Sequence, residues 1–268
     1  MGKELTKLVV LIRGGGEVAS GIAHRLALAQ SRVCMTEIPD PQAVSRGVAF
    51  SEALYDGKKE IEGVVARHVT SFSGIAKAWQ EGEIAIIIDP ESSIKDALNP
   101  EIVIDAIMAK RNLGTKLTDA PLVIGLGPGF RAGKDAHMVV ETNNSQSLGK
   151  VILSGEAEKN TGTPIAIDGL TSERVLHAPK NGLFQTDKKI GDTAAAGEEI
   201  AAVAGEPVKA EIGGVIRALL HNDTRVVKGT KLAEIDPSGD REPAFTIRDR
   251  IRAIAEGVLA AIQMRYNI

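Results

Sequence analysis

A glycine-rich turn directly after the first apolar run is the strongest chemical signal in the sequence. The run Leu8–Ile12 leads into Arg13 and three consecutive glycines, after which a helical pattern begins. Glycines at this place permit a tight turn and let the backbone approach a pyrophosphate, which the N–H groups of a helix N-terminus then hold. Glu37 ends the next predicted strand, 23 residues after Gly14, where dinucleotide-binding folds place a ribose-binding carboxylate. The predicted cofactor-binding residues here are Arg13, Gly14, Gly15, Gly16 and Glu37.

Glu17 puts a negative charge beside this predicted anion site. It also has an ordinary structural explanation, because an acidic side chain in the first turn of a helix interacts favourably with the helix dipole. Two alternatives therefore stay open: a turn that binds a nucleotide, and a turn kept by a Rossmann-like fold that binds another ligand or none.

A second glycine-rich loop runs from Gly125 to Asp135 after another apolar segment. It does not match the P-loop motif, because Pro128 and Asp135 stand where that motif needs Gly and Ser or Thr. Its closely spaced glycines still expose backbone N–H groups that could hold an anion. Gly127 and Gly129 are therefore predicted to bind cofactor, with a plain crossover loop as the alternative.

Three polar residues, Asp135, His137 and Glu141, come just after that loop. If residues 137–142 form a strand, His137 and Glu141 share one face. This spacing is suited to a general-base pair or to two metal ligands, and we predict the three residues as a catalytic acid/base group, with a structural histidine as the alternative. The other histidines have no metal-ligand spacing and Cys34 falls in a predicted buried strand, so we predict no metal site.

Apolar strands and amphipathic helices alternate through the first half of the chain. This rhythm predicts an α/β fold, with a Rossmann-like parallel-sheet domain over residues 1–136. Residues 137–173 are predicted to be a β-rich connecting segment, and residues 241–268 to contain an amphipathic C-terminal helix. The predicted helices are Ser20–Gln30, Ala43–Leu54, Phe72–Gln80 and Thr246–Ile262, and the predicted strands include Arg32–Thr36, Ile61–Val69, Glu83–Ile88 and Leu122–Leu126.

An internal repeat with an offset of 32 residues marks the later part of the chain. Gly182 aligns with Gly214, Gly197 with Gly229, and the apolar runs after these glycines align as well. Because neither copy can bury its apolar face alone, we predict that the two pack together in a small closed β-structure over residues 174–240. The pattern is that of a barrel-sandwich hybrid and resembles the biotinyl/lipoyl carrier domains.

Those carrier domains hold their prosthetic group on a lysine at a hairpin tip. The corresponding turn in this chain, Ala204–Pro207, has no lysine, and Lys209 is predicted to lie in the following strand. We therefore expect no biotin or lipoate on this segment.

The composition excludes several classes of protein. The 268 residues carry a net charge of −3, which gives no electrostatic footprint for nucleic acid or an anionic membrane. A single cysteine rules out a disulfide framework, and no apolar run approaches the length of a membrane span. These features predict a cytoplasmic protein and leave self-association open.

The ordered motifs together resemble one family. They are Arg13–Gly21, Val48–Phe50, Gly125–Phe130, Val139–Thr142 and Asn160–Gly162, followed by the predicted barrel. In this order they are similar to the YqeB family, accessory proteins of selenium-dependent molybdenum hydroxylase systems, and the first domain is similar to XdhC-type maturation factors. The family has an Arg-Gly-His run where Asn144–Gln146 stands here, so a site built on that run is not carried over.

The resemblance implies a maturation factor whose partner is a selenium-dependent molybdenum hydroxylase or its maturation machinery. Combined with the glycine turn, it implies a nucleotide- or molybdopterin-type cofactor. Two alternatives remain: an NAD(P)-dependent oxidoreductase that uses Asp135 or His137 as acid/base, and a scaffold without catalytic activity that only contacts the partner enzyme.

Overall fold

The computed structural model describes residues 4–164 and 166–268 and divides into two units. Residues 1–3 and Ile165, which fall within the predicted first domain and connecting segment, lie outside the described residues. The larger unit contains the N-terminal part of the chain up to Pro41, Ala49–Asn160 and Ile247–Ile268. The smaller unit contains Gln42–Val48 and Thr161–Thr246. The larger unit is therefore completed by the C-terminal segment.

A nine-stranded sheet forms the centre of the larger unit in the described part of the chain, in the order β10-β9-β7-β6-β1-β2-β5-β4-β3. The seven strands from β9 to β4 are parallel, and β3 and β10 are antiparallel edges. The strands are β1 (Val9–Arg13), β2 (Arg32–Glu37), β3 (Lys58–Ile61), β4 (Val64–His68), β5 (Ile84–Ile88), β6 (Ile102–Asp105), β7 (Leu122–Leu126), β9 (Met138–Val140) and β10 (Val151–Ile152). The short strands β8 (Arg131–Ala132) and β11 (Gly155–Glu156) pair separately.

The central strands are apolar along almost their whole length, as expected for parallel strands that are covered on both faces. Strands β6 and β7 are fully buried, and Arg13 at the end of β1 lies beside Thr36 of β2 and Asp105 of β6. Parallel strands end at the same side of a sheet, which we call the carboxyl edge. The glycine turn after β1 and the glycine loop after β7 both leave the sheet at this edge.

The helices cover the sheet with their apolar residues. They are α1 (Glu17–Leu28), α2 (Ala53–Asp56), α3 (Phe72–Gln80), α4 (Lys95–Leu98) and α5 (Asp249–Tyr266). Helix α5 packs on α1 and buries a stripe at helical spacing that includes Ile251, Ile254 and Val258. Trp79 of α3 donates a hydrogen bond from Nε1 to the Val33 carbonyl at 2.8 Å, which attaches that helix to β2. The predicted C-terminal helix is therefore present and forms part of the larger unit.

Two predicted elements differ from the structure. The helix predicted over Ala43–Leu54 is replaced by 3-10 turns at Arg46–Val48 and Phe50–Glu52, followed by α2. Its first residues are not helical because the Val44 carbonyl accepts a hydrogen bond from the Leu219 N–H within the smaller unit. The strand predicted over Ile61–Val69 is a hairpin, since a tight turn after Ile61 separates β3 from β4.

The smaller unit contains two four-stranded sheets in the described residues, ordered β12-β19-β17-β14 and β16-β15-β13-β18. Adding 32 to the residue numbers of a strand in the first copy gives its counterpart in the second, so β13 matches β17 and β15 matches β19. The two sheets therefore have the same strand order, which is the structural expression of the sequence repeat. The strands are β12 (Val175–His177), β13 (Gly182–Gln185), β14 (Thr193–Ala194), β15 (Glu199–Val203), β16 (Glu206–Lys209), β17 (Gly214–Leu219), β18 (Arg225–Val226) and β19 (Lys231–Asp236).

The predicted barrel-sandwich hybrid is not shown by this arrangement. In the described residues neither sheet is closed, because the short edge strands β14 and β18 each pair with a single neighbour. Both sheets contribute to one apolar cluster that includes Phe184 and Val203 from one and Ile216 and Ile235 from the other. Lys209 lies in strand β16, as predicted.

A buried charge cluster lies in the first of these sheets. The Glu234 carboxylate accepts a hydrogen bond from Arg174 at 2.9 Å and lies 3.4 Å from Arg217, and all three side chains are almost completely buried. Lys231 donates to the other carboxylate oxygen at 2.6 Å. Removing one member of a buried ion pair leaves its partner charged and desolvated, which costs more than the pair itself contributes.

We expect Glu234→Ala to lower the free energy of unfolding of the smaller unit by about 3–5 kcal/mol, because two buried guanidinium groups lose their carboxylate. Urea unfolding measures this change. Glu206→Ala is the matched control, since Glu206 pairs with Lys180 at an exposed site and its loss costs about 1 kcal/mol or less. Equal effects of the two substitutions would contradict a structural role for the buried cluster.

Candidate functional site

The strand order reverses direction between β1 and β6. The chain proceeds from β1 to β2 on one side, and later returns to place β6 on the other side of β1. In open α/β sheets, ligands bind outside the carboxyl ends of the strands at such a point. The residues at the ends of these two strands are Arg13 and Asp105, which are neighbours in the sheet.

Arg13 connects four segments at this point. Its guanidinium pairs with Asp105 at 3.2 Å and donates hydrogen bonds to the hydroxyls of Ser92 and Thr115 and to the Leu113 carbonyl. Asp105 also accepts a hydrogen bond from the Thr115 hydroxyl at 2.6 Å. Both charged side chains are buried. The arginine predicted to bind cofactor therefore holds the surrounding loops together, and it also lines the cavity beside them.

The glycine turn has the geometry that its sequence predicts. Gly14 has a φ of +104°, and a Cβ there would lie 3.0 Å from the Ala106 carbonyl oxygen, so only glycine fits without strain. A Cβ on Gly16 would meet no atom within 4 Å. Gly16 precedes helix α1 and has an ordinary φ of −72°. Gly14 is thus required by the fold, whereas the space beside Gly16 is open.

Glu37 reaches back from the end of β2 to the glycine turn. Its carboxylate accepts hydrogen bonds from the Gly15 N–H at 2.6 Å and from the Ile38 N–H at 2.8 Å. Burial raises the pKa of this carboxyl above its ordinary value, and the two backbone hydrogen bonds act in the opposite direction. The residue predicted to bind ribose is therefore in direct contact with the turn predicted to bind phosphate.

A cavity of about 450 Å³ opens beside these residues at the carboxyl edge. Its apolar walls include Ile38, Ile107 and Leu113, each of which is more than a third exposed. Its polar lining comes from Arg13, Thr36, Glu37, Glu91 and Ser92. A few polar groups among apolar walls is the usual composition of a small-molecule site. Sequence reasoning did not identify Ser92, Ile107, Leu113 and Thr115, because the loops that carry them have no recognisable motif.

The second glycine loop packs closely against its own unit. A Cβ on Gly127 would overlap the Thr142 hydroxyl, and one on Gly129 would lie 2.6 Å from the Arg111 backbone. The φ angles of these glycines are +66° and +109°. Protein atoms therefore occupy the positions where side chains would stand, and the crossover-loop alternative accounts for both glycines.

The structure does not bring Asp135, His137 and Glu141 together. His137 precedes β9 and Glu141 follows it, so they lie at opposite ends of the strand, about 13 Å apart at roughly 3.3 Å per residue. Asp135 closes the turn before His137 by accepting a hydrogen bond from the Arg131 N–H at 2.9 Å. His137 and Glu141 therefore do not form one catalytic site with Asp135, although residues at this spacing share a face of a strand.

Each of these residues has a local structural partner. The His137 Nδ1 accepts a hydrogen bond from the Val123 N–H at 3.0 Å, and burial, followed by the charge of Arg265, lowers the pKa of His137. The buried Glu141 carboxylate accepts hydrogen bonds from three backbone N–H groups, of Thr142, Asn143 and Glu158, at 2.7–2.8 Å. These contacts fix loops at the two ends of β9.

The described residues contain no group of three or more His, Cys, Asp or Glu side chains that could hold a metal ion. Cys34 is buried in β2, and burial raises the pKa of its thiol well above the ordinary value. In the same part of the chain, no helix combines the length and apolar character needed to cross a membrane.

Comparison with solved structures adds no argument about function. The chain has a TM-score of 0.26 and 12% identity to the ectoine utilization protein EutE (DoeB) from Ruegeria pomeroyi, over 85% of this chain and 84% of that one. It has a TM-score of 0.29 and 14% identity to a succinylglutamatedesuccinylase/aspartoacylase from Rhodobacter sphaeroides, over 87% and 86%. No protein-family model matches the chain.

A curated relative gives a much closer match. The chain is 44% identical over 256 residues to the uncharacterized protein YqeB of Escherichia coli (strain K12), which covers 96% of this chain and 47% of that protein. The chain thus spans about half the length of the curated relative it matches. This similarity supports the YqeB family, which the ordered sequence motifs predict.

Proposed function

We propose that the larger unit binds a nucleotide-type cofactor at the carboxyl edge of its sheet, and that the protein acts as a maturation factor for a selenium-dependent molybdenum hydroxylase. The observation that carries the first part is the contact between the Glu37 carboxylate and the Gly15 N–H beside an open cavity. The second part rests on the family resemblance of the motifs.

The strand order supports the proposal. β4, the seventh parallel strand, precedes β5 in the chain and lies outside it in the sheet; without β4, the strands β5-β2-β1-β6-β7-β9 have the order 3-2-1-4-5-6, numbered by their position along the chain. This is the order of the doubly wound nucleotide-binding fold, in which the first strand leads into the glycine turn. It favours a Rossmann-like description of the larger unit.

The cavity and the adjoining glycine turn together offer a separate contact for each part of a nucleotide. A flat ring fits between the apolar walls formed by Ile38, Ile107 and Leu113, while ribose hydroxyls can donate to Glu37. The phosphate then lies at Gly16, where a side chain would otherwise project and where helix α1 begins. A cavity of about 450 Å³ falls within the usual size range of small-molecule sites.

We propose binding rather than oxidoreductase chemistry. The alternative needs an acid/base residue near the cofactor, and it would take Asp135 or His137. His137 lies before β9, three strands away from β1 in the sheet, and its ring accepts a hydrogen bond from the Val123 backbone. The lining of the cavity includes neither residue.

The ligand released from purified protein tests the proposal. The protein is denatured, and the ultraviolet spectrum and mass of the released compound are measured. A pterin dinucleotide or a nucleotide without nicotinamide supports the proposal, whereas a nicotinamide dinucleotide favours the oxidoreductase. Absence of released ligand, together with no binding of nucleosides or nucleotides in calorimetry, contradicts it.

Gly16→Val should weaken cofactor binding about 10-fold or more, equivalent to roughly 1.4 kcal/mol, because a branched side chain enters the space assigned to phosphate. The melting temperature should change little, since no protein atom lies within 4 Å of the new Cβ. Calorimetry and thermal unfolding measure the two quantities. Gly213→Val is the control, because Gly213 belongs to the smaller unit and also has room for a Cβ. If Gly16→Val bound the cofactor as tightly as the wild type does, the turn would have only a structural role.

The difference in free energy of unfolding between Glu37→Gln and the wild type should favour the variant more at pH 8 than at pH 4.5. The raised pKa means that folded protein holds the Glu37 proton more tightly than unfolded protein does. Wild-type stability therefore falls as the pH rises from the ordinary glutamate pKa through the raised one, and the neutral amide avoids that loss. Thermal unfolding at both pH values measures the difference. A variant whose relative stability is lower at pH 8 would show that the ionised carboxylate stabilises the turn.

A further inference from the structure

The glycine turn has a polar neighbour whose role the fold does not explain. Ser51 is completely buried, and its Oγ has no hydrogen-bond partner in the described part of the chain. Its backbone N–H donates to the Gly15 carbonyl at 3.0 Å, and a Cβ on Gly15 would lie 3.1 Å from Ser51 Cβ. A buried hydroxyl without a partner is unfavourable, so a polar group of a ligand at the turn would satisfy it.

A second neighbour provides positive charge. Arg248, the N-cap residue of α5, donates hydrogen bonds from Nε and Nη2 to the two carboxylate oxygens of Glu17, at 2.8 and 2.6 Å. Glu17 is the first residue of α1 and follows Gly16 directly. Both side chains are largely withdrawn from solvent, so their charges are weakly screened. Arg248 therefore compensates the negative charge that Glu17 places beside the turn.

We propose that Arg248 and Ser51 complete a phosphate-binding subsite at Gly16. This inference rests on the proposed function and names the residues that determine its specificity for a phosphorylated ligand. Arg248 supplies the charge that allows phosphate to approach Glu17, and the Ser51 hydroxyl supplies a hydrogen-bond donor beside Gly15. Neither residue belongs to the sequence motif of the turn. Arg248, for example, is 231 residues from Glu17 along the chain.

Substitutions of the two members of the ion pair should change the affinity for a phosphorylated ligand in opposite directions. Arg248→Gln should weaken binding of a nucleoside 5′-monophosphate about 10-fold or more, because Glu17 then repels the phosphate. Glu17→Gln should strengthen it several-fold, because Arg248 becomes available to the phosphate. Ser51→Ala should weaken it without affecting the nucleoside. Because unphosphorylated nucleosides do not reach the subsite, their affinity should remain unchanged in all three variants.

Calorimetry with adenosine, cytidine and guanosine, each beside its 5′-monophosphate, tests these expectations. Arg252→Gln is the matched control, because Arg252 lies on the same helix and also pairs with a carboxylate, that of Glu62, at 2.7 Å. It should leave the ratio of monophosphate to nucleoside affinity unchanged. Thermal unfolding of every variant shows whether the fold is retained.

The outcomes separate the two proposals. Nucleotide binding with an unchanged affinity ratio in Arg248→Gln and Glu17→Gln would overturn the subsite and assign the ion pair to the packing of α5 on α1. Failure of every nucleoside and nucleotide to bind the wild type would overturn the proposed function, and the subsite with it. A ratio that falls in Arg248→Gln, rises in Glu17→Gln and is constant in Arg252→Gln supports the subsite.

Discussion

The buried ion pair between Arg13 and Asp105 is the interaction on which the carboxyl edge of the larger unit depends. It joins the ends of β1 and β6, where the strand order reverses, and neither charge could remain buried without the other. Hydrogen bonds from Arg13 to Ser92, Thr115 and the Leu113 carbonyl fix the loops around the cavity. The wall of the cavity and the start of the glycine turn are consequently held by the same residue.

Charge balance is the second constraint on the site. Glu37 and Glu17 place two carboxylates beside the turn that we propose binds an anion, and each carboxylate has a compensating contact. Glu37 accepts hydrogen bonds from backbone N–H groups and Glu17 pairs with Arg248. Helix α5 therefore packs against the larger unit and also, through Arg248 at its N-terminus, offsets negative charge beside the turn before α1. Because both carboxylates are compensated, a ligand with a neutral part and an anionic part can bind beside them without strong repulsion.

Local patterns in the sequence predicted the parts of the structure that local interactions determine. The strand Leu122–Leu126, helix α3, the glycine turn and the repeat in the smaller unit follow from apolar spacing and glycine positions. The structure does not bring His137 and Glu141 together, because residues four apart in a strand share a face while lying at opposite ends of this short strand. Arg248 and Ser51 were missed because their contacts with the turn link distant segments. Glu17 was the available signal, since a carboxylate beside a proposed anion site requires a nearby cation.

Hydrogen exchange of the larger unit with and without nucleotide tests the central claim most directly, because a bound ligand slows exchange where it orders the backbone. With saturating nucleoside monophosphate, the account predicts slower exchange at Gly15–Ala19 and in the loop that carries Ile107 and Leu113, with no change in strands β13 and β15 of the smaller unit. Unchanged exchange around the glycine turn, or protection confined to the smaller unit, would contradict a nucleotide site at the carboxyl edge.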